Sequence, residues 1–112
     1  MNKYHNKKIK IDGHDFDSRK EAKRYTELKL LERAGMITDL QMQVRYRLLD
    51  GFKKNGKTYL PISYIADFVY YDKFKKKTIV EDTKGYRTEV YKIKKKLFEF
   101  KYKELEIVEL WR

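Results

Sequence analysis

Residues 64–84 read Tyr64-Ile-Ala-Asp-Phe-Val-Tyr-Tyr-Asp-Lys-Phe-Lys-Lys-Lys-Thr-Ile-Val-Glu-Asp-Thr-Lys84. Two apolar runs flank a polar, lysine-rich connection from Asp72 to Lys77, which predicts two antiparallel strands over about 62–71 and 78–84. Three charged residues fall inside them: Asp67 in the first, Asp82 and Lys84 in the second. Charge within a strand is costly unless it is paired, solvated or bound to metal. Alternation puts Val80, Asp82 and Lys84 on one face and Ile79, Glu81 and Thr83 on the other. Antiparallel pairing can bring Asp67 across from the Asp82 face. Two carboxylates a few ångström apart repel unless one is protonated or a cation lies between them. With oxygen ligands and no cysteine, such a cation would be Mg²⁺ or Mn²⁺ rather than Zn²⁺. The same residues also fit an Asp–Lys ion pair at a solvated sheet edge, and spacing alone leaves both readings open.

Upstream, Ser18 to Ala34 reads as a helix. Ser18 with Glu21 is a capping box, and Ala22, Tyr25, Leu28 and Leu31 form the apolar stripe. Gly35 follows at the left-handed position past the end. Before it, Ile9 and Ile11 alternate into Asp12-Gly13, a short hairpin signal. Leu40 to Leu48 predicts a half-buried strand with Leu40, Met42, Val44, Tyr46 and Leu48 on one face and Gln41, Gln43, Arg45 and Arg47 on a polar, basic face. Residues 51–57 read as a loop with an Asn-Gly turn, and Pro61 marks the edge of the next strand.

Downstream, Gly85 ends the charged strand. Thr88 to Lys101 reads as a second helix, N-capped by Thr88. Val90, Ile93, Leu97 and Phe100 are its expected buried stripe, with Lys92, Lys95, Lys96 and Glu99 facing out. Leu105 to Trp111 closes the chain as a last strand. The expected order is helix, three antiparallel strands, a crossover helix, and a strand returning parallel to a sheet member. This is an α/β architecture, a mixed sheet flanked by helices.

The chain has 112 residues, long enough for one domain with a modest core. Residues 1–8 are expected to be a basic, flexible tail. No apolar run approaches the roughly 18 residues of a membrane span, and no apolar stretch follows the basic N-terminus as a signal peptide requires. The expected location is cytoplasmic, with no membrane partner. With 28 Lys+Arg against 17 Asp+Glu, net charge is +11, which points to a polyanionic partner such as DNA. Arg87 beside the second helix N-terminus, with Lys92, Lys94, Lys95 and Lys96, would supply phosphate contacts.

Asp67, a 14-residue interval and Asp82-Thr83-Lys84 together resemble the signature of the PD-(D/E)XK phosphodiesterase superfamily. Its restriction-endonuclease-like core has the order α-β-β-β-α-β, and an acid on the first helix commonly completes its site. Phe16-Asp-Ser-Arg-Lys-Glu-Ala22 looks like that segment, with Glu21 as the matching acid. With Ile11-Asp-Gly, Tyr64-Ile-Ala-Asp-Phe68, Val80-Glu-Asp-Thr-Lys-Gly85 and Lys94-Lys-Lys-Leu-Phe98, the pattern is similar to small phage- and prophage-borne endonuclease-like proteins over about residues 5–110. Ala66 stands where the eponymous Pro would be, a position that is not a ligand. The resemblance implies a single nuclease-like domain and a Mg²⁺-dependent DNA endonuclease, with Mn²⁺ as a substitute. By it, Asp67 and Asp82 hold the metal and Thr83 lends its backbone carbonyl. Glu21 binds directly or through water, and Lys84 positions the nucleophilic water. Glu21 has a competing role as helix cap, and Gln43 is either aimed at the site or a solvated strand residue. Analogy with resolvases of the same superfamily suggests branched DNA such as a Holliday junction as substrate, cut by a homodimer in a bacterial host. The competing classes are a non-catalytic nucleic-acid-binding accessory protein and a basic protein that targets a host enzyme.

Overall fold

Two helices and a four-stranded mixed sheet organise residues 8–83 and 88–110, the part of the chain that the computed structural model describes. In chain order the elements are β1 (Ile9–Ile11), β2 (His14–Phe16), α1 (Arg19–Arg33), β3 (Ile37–Leu49), β4 (Phe52–Lys54), β5 (Lys57–Tyr59), β6 (Ile62–Asp72), β7 (Lys77–Asp82), α2 (Glu89–Lys101) and β8 (Ile107–Glu109). The main sheet has the order β3-β6-β7-β8. Its first three strands are an antiparallel meander, and β8 returns parallel to β7 after the α2 crossover.

The helix α1 starts where Ser18 Oγ accepts from the Glu21 N–H at 3.1 Å. It ends at Ala34, with Gly35 at φ 78 beyond it, a left-handed position that glycine takes without a Cβ penalty. Ala22, Tyr25 and Leu28 are buried against Phe16, Ile37, Phe68, Tyr70 and Ile79. On the second core, Phe98 of α2 packs with Leu48, Tyr64, Ala66, Val69, Val80 and Ile107. Adjacent residues of β7 thus serve different cores: Ile79 packs with α1 and Val80 with α2, as strand alternation requires.

The expected single apolar face of β3 is divided. Leu40 and Met42 pack with the α1 core, whereas Val44, Tyr46 and Leu48 belong to the α2 core. The neighbouring strand divides at the matching place, with Phe68 and Tyr70 in the first core and Tyr64 and Ala66 in the second. Between the two halves of β3 lies Gln43, a non-glycine residue at φ 53. The left-handed backbone there interrupts the pleat, so uniform period-2 reading fails across it.

Two further expectations are corrected. Residues 51–57 do not form a loop alone: β4 and β5 make a separate two-stranded ribbon around the Asn55-Gly56 turn. On α2 the expected buried stripe is the exposed one. Val90 is 62%, Ile93 59% and Phe100 74% accessible, while Tyr91, Lys94 and Phe98 face the sheet side. Thr88 caps the helix as expected, accepting from the Tyr91 N–H at 3.0 Å. A tail over residues 1–8 falls outside the described residues except for Lys8, whose ammonium lies 3.3 Å from Asp17. Trp111, expected in the last strand, also lies outside them. Among the described residues no helix is long and apolar enough to cross a membrane.

Candidate active site

Pairing of β6 with β7 sets Phe68 opposite Glu81, and continuing that register brings Asp67 beside Asp82. Both carboxylates are buried, at 1% and 0% accessibility. Each is held by a protein donor. The Thr83 N–H and hydroxyl donate to Asp67 Oδ2 at 2.7 and 2.9 Å. The Tyr64 hydroxyl donates to Asp82 Oδ2 at 2.7 Å. Burial, and then the hydrogen bond to Asp82, push the Tyr64 phenol far above its ordinary range, so this donor keeps its proton. β7 ends at Asp82, so alternation no longer governs Thr83. Its side chain therefore reaches Asp67 instead of sharing the Glu81 face.

Asp82 and Thr83 line a cleft of about 1150 Å³. Its walls are Ser18, Lys20 and Glu21 at the start of α1, Gln43, Arg45 and Arg47 from β3, Ser63 and Tyr64 from β6, and Tyr91 and Lys94 from α2. Asp67 is not on the wall and reaches the cleft through Thr83. Across the cleft the Gln43 amide donates to Glu21 Oε2 at 2.8 Å. The register on either side, Met42 opposite Phe68 and Val44 opposite Ala66, puts Gln43 across from Asp67. Gln43, one of two left-handed residues of β3 with Asp39, therefore sits between the helix acid and the strand acid. Strained backbone of this kind costs about 1–3 kcal/mol and concentrates at functional sites.

On the other side of β7, Glu81 is bound by Arg24 through a two-pronged contact, Nε to Oε1 at 2.8 Å and Nη2 to Oε2 at 2.6 Å. The Tyr70 hydroxyl donates to Glu81 Oε2 as well. Hydrogen bonding to Glu81 raises the Arg24 guanidinium further above its ordinary value. Glu81 thus ties β7 to α1, one turn of helix beyond Glu21, and is not part of the cleft.

A family model described as "Protein of unknown function (DUF1064)" matches residues 1–112. The chain belongs to that family. Neither the curated proteins nor the solved structures contain a match.

In this DUF1064 chain the sequence-derived residues fall into three groups. Asp82, Thr83, Glu21 and Gln43 line one cleft, with Asp67 bonded to Thr83 behind its wall. Lys92, Lys95 and Lys96 are not on that wall. Lys92 lies 3.1 Å from Glu89 and Lys95 3.3 Å from Glu99, and Lys96 is exposed. Lys94, one helical position away, is the α2 lysine that lines the cleft. Lys84 and Arg87 lie outside the described residues. Among the described residues no three His, Cys, Asp or Glu side chains gather closely enough to form a metal cage. Sequence reading did not single out Tyr64 as a partner of Asp82. The only signal was its place three residues before Asp67, which becomes a contact once the strand register is known.

Proposed function

We propose that this protein is a metal-dependent DNA endonuclease with a restriction-endonuclease-like core, selective for branched DNA such as a Holliday junction. The observation that carries this reading is the juxtaposition of buried Asp67 and Asp82 on adjacent strands, at a cleft whose other walls carry Glu21, Arg45 and Lys94. The order of α1, a three-strand meander, α2 and a parallel strand supports the fold half of the proposal. Net charge of +11 supports a nucleic-acid substrate.

The donor set, two buried carboxylates held by hydroxyl and amide donors, suits a hard divalent cation, Mg²⁺ with Mn²⁺ as substitute. Asp67 and Asp82 would hold it, with the Thr83 carbonyl and, directly or through water, Glu21. Bound there, the ion would polarise the scissile phosphodiester and make water a better nucleophile. Tyr64 fixes the rotamer of Asp82, and Thr83 that of Asp67. Arg45 and Lys94 neutralise phosphate along the cleft, and Lys84 orients the attacking water and stabilises charge at the transition state.

Paired cuts across a junction need two active sites and hence a homodimer. The exposed α2 stripe Val90, Ile93, Leu97 and Phe100 has the alternating three- and four-residue spacing of a helix–helix seam, which suits a second copy of the same helix. The proposal places the protein in the cytoplasm of a bacterial host, encoded by a phage or prophage.

The test is incubation of wild type, Asp82→Ala and Lys84→Ala with four-way junction, duplex and single-stranded DNA in Mg²⁺. Junction cleavage by wild type alone supports the proposal. Equal nicking by all three proteins sinks it. One observation favours a second reading, a non-catalytic DNA-binding protein of phage replication or recombination: the described carboxylates form a pair and no three-acid cage. That reading expects salt-sensitive binding that survives Asp82→Ala and needs no metal.

A further inference from the structure

The β4–β5 ribbon belongs to neither core. Its residues are all exposed, and it pairs with no other strand. Phe52 lies opposite Tyr59, Lys53 opposite Thr58 and Lys54 opposite Lys57, with Asn55 and Gly56 at φ 52 and 75 in the turn. A lone two-stranded hairpin is marginal in water. Two features hold this one. Phe52 and Tyr59 stack with ring centroids 4.7 Å apart and planes 13° from parallel. At its root Gly51 is in close quarters, since a Cβ there would stand 3.0 Å from the Tyr59 carbonyl oxygen and 3.1 Å from Pro61 Cδ. The ribbon therefore has a tightly packed base.

Its charge has no internal counterpart. Residues 51–60 contain three lysines and no acid. Lys53, Lys54 and Lys57 form no ion pair among the described residues. Lys54 and Lys57 also face each other across the ladder, where like charges destabilise a sheet pair. A polyanion removes that repulsion and loses condensed counterions in doing so. The ribbon is also the right shape: a DNA major groove, about 12 Å wide, admits two strands. Four residues at about 3.4 Å each give it a reach of roughly 14 Å. It rises at the cleft rim, because Arg47 near the end of β3 and Pro61 and Ser63 around the start of β6 all line the cleft.

We infer that the β4–β5 ribbon is an arm that grips duplex DNA in its major groove beside the phosphate held in the cleft. The inference rests on the reading of the cleft as a DNA site. Lysines 53, 54 and 57 contact backbone phosphates on the two groove walls. The stacked Phe52–Tyr59 pair keeps the strands together under that load. The arm grips the groove through phosphates, so its contribution is the same for different duplex sequences.

The test is fluorescence anisotropy with a 30-base-pair duplex in EDTA across a potassium chloride series. Three full-length proteins are compared: the parent, Lys53→Ala/Lys54→Ala/Lys57→Ala, and Lys73→Ala/Lys75→Ala/Lys76→Ala as a charge-matched control on the β6–β7 turn. Circular dichroism checks that all three are folded. The arm variant is expected to bind at least tenfold more weakly than the parent, with its log–log salt slope shallower by about 2.7, near 0.9 for each of the three lost phosphate contacts. The control variant is expected to change the slope by less than half as much. Equal losses in the two variants, or an arm variant that binds like the parent, overturn the arm and leave the nuclease proposal standing. A parent that binds no duplex in EDTA overturns the arm. If that parent also cuts no DNA in Mg²⁺, the nuclease proposal falls with it.

Discussion

The Tyr64 hydroxyl donates to Asp82 Oδ2 at 2.7 Å inside the protein, joining the start of β6 to the end of β7. A buried hydrogen bond to a charged group contributes about 1.5–3 kcal/mol, and residues that orient metal-binding carboxylates affect activity about 10–100-fold. Tyr64→Phe keeps the ring packing against Phe98 and removes only the donor. The expected outcome is junction cleavage slowed at least tenfold, with half-maximal rate displaced to higher Mg²⁺. A Mg²⁺ titration of cleavage rates checks this. An unchanged titration with an intact fold would show that Tyr64 does not position Asp82.

Gln43 joins a left-handed backbone to a hydrogen bond with Glu21. Both Gln43→Gly and Gln43→Ala lose the amide, so the difference between them reads the backbone. Left-handed φ costs an L-residue about 1–2 kcal/mol, which glycine escapes. Gln43→Gly should therefore be more stable than Gln43→Ala by about 1 kcal/mol in urea unfolding. Identical midpoints and slopes would mean that β3 relaxes to a regular strand in the variants.

Half-buried Arg24 and buried Glu81 form a two-pronged pair with Tyr70 as a third member. Removing Arg24 leaves buried Glu81 with the Tyr70 hydroxyl as its remaining donor, which costs about 3 kcal/mol, the lower end for a fully buried pair. Arg24→Ala is expected to lose about that much in denaturant unfolding. Arg24→Lys should recover only part of it, since an ammonium cannot reproduce the planar fork. Pairing Arg24→Ala with Glu81→Gln should restore stability relative to Arg24→Ala alone.

The proposed homodimer can be tested at the exposed stripe on α2. Sedimentation of wild type is expected to report a dimer at micromolar concentration, and Ile93→Glu with Phe100→Glu a folded monomer. A monomeric wild type at all accessible concentrations removes this seam from the proposal.

Alkaline pH should unfold the protein through its buried phenols. Burial, and next the hydrogen bonds to Asp82 and Glu81, raise Tyr64 and Tyr70 above their ordinary value. In the unfolded chain they ionise near pH 10. Their folded values lie higher, so their stabilisation is complete below about pH 10 and is lost as pH rises towards the folded values. Melting temperature should fall above about pH 10, with the phenolate absorbance of these two residues appearing together with unfolding. Early, non-cooperative ionisation of every tyrosine would contradict their burial.

Much of the architecture was legible because local signals agreed with one another. Ser18 with Glu21 and Gly35 bracket α1 to within a residue of its observed limits. Alternation in 79–82 assigned Asp82 and Glu81 to opposite faces, and the two acids indeed meet different partners, Tyr64 and Arg24. On α2 the periodic apolar set was visible, but periodicity does not say which face meets the sheet. Phe98 and Tyr91 took that role. On β3 the alternation was read through Gln43, where a left-handed residue that no pattern marks divides the strand between two cores.

The sequence by itself determined the order of elements, the two acids within strands and the strong positive charge, because caps, strand period and composition are local properties of the chain. Only the tertiary structure decided which carboxylate each donor holds, which lysine of α2 meets the cleft and that residues 52–59 stand apart as a ribbon. Those facts depend on strand register and helix rotation, which are set by packing between segments distant in the chain.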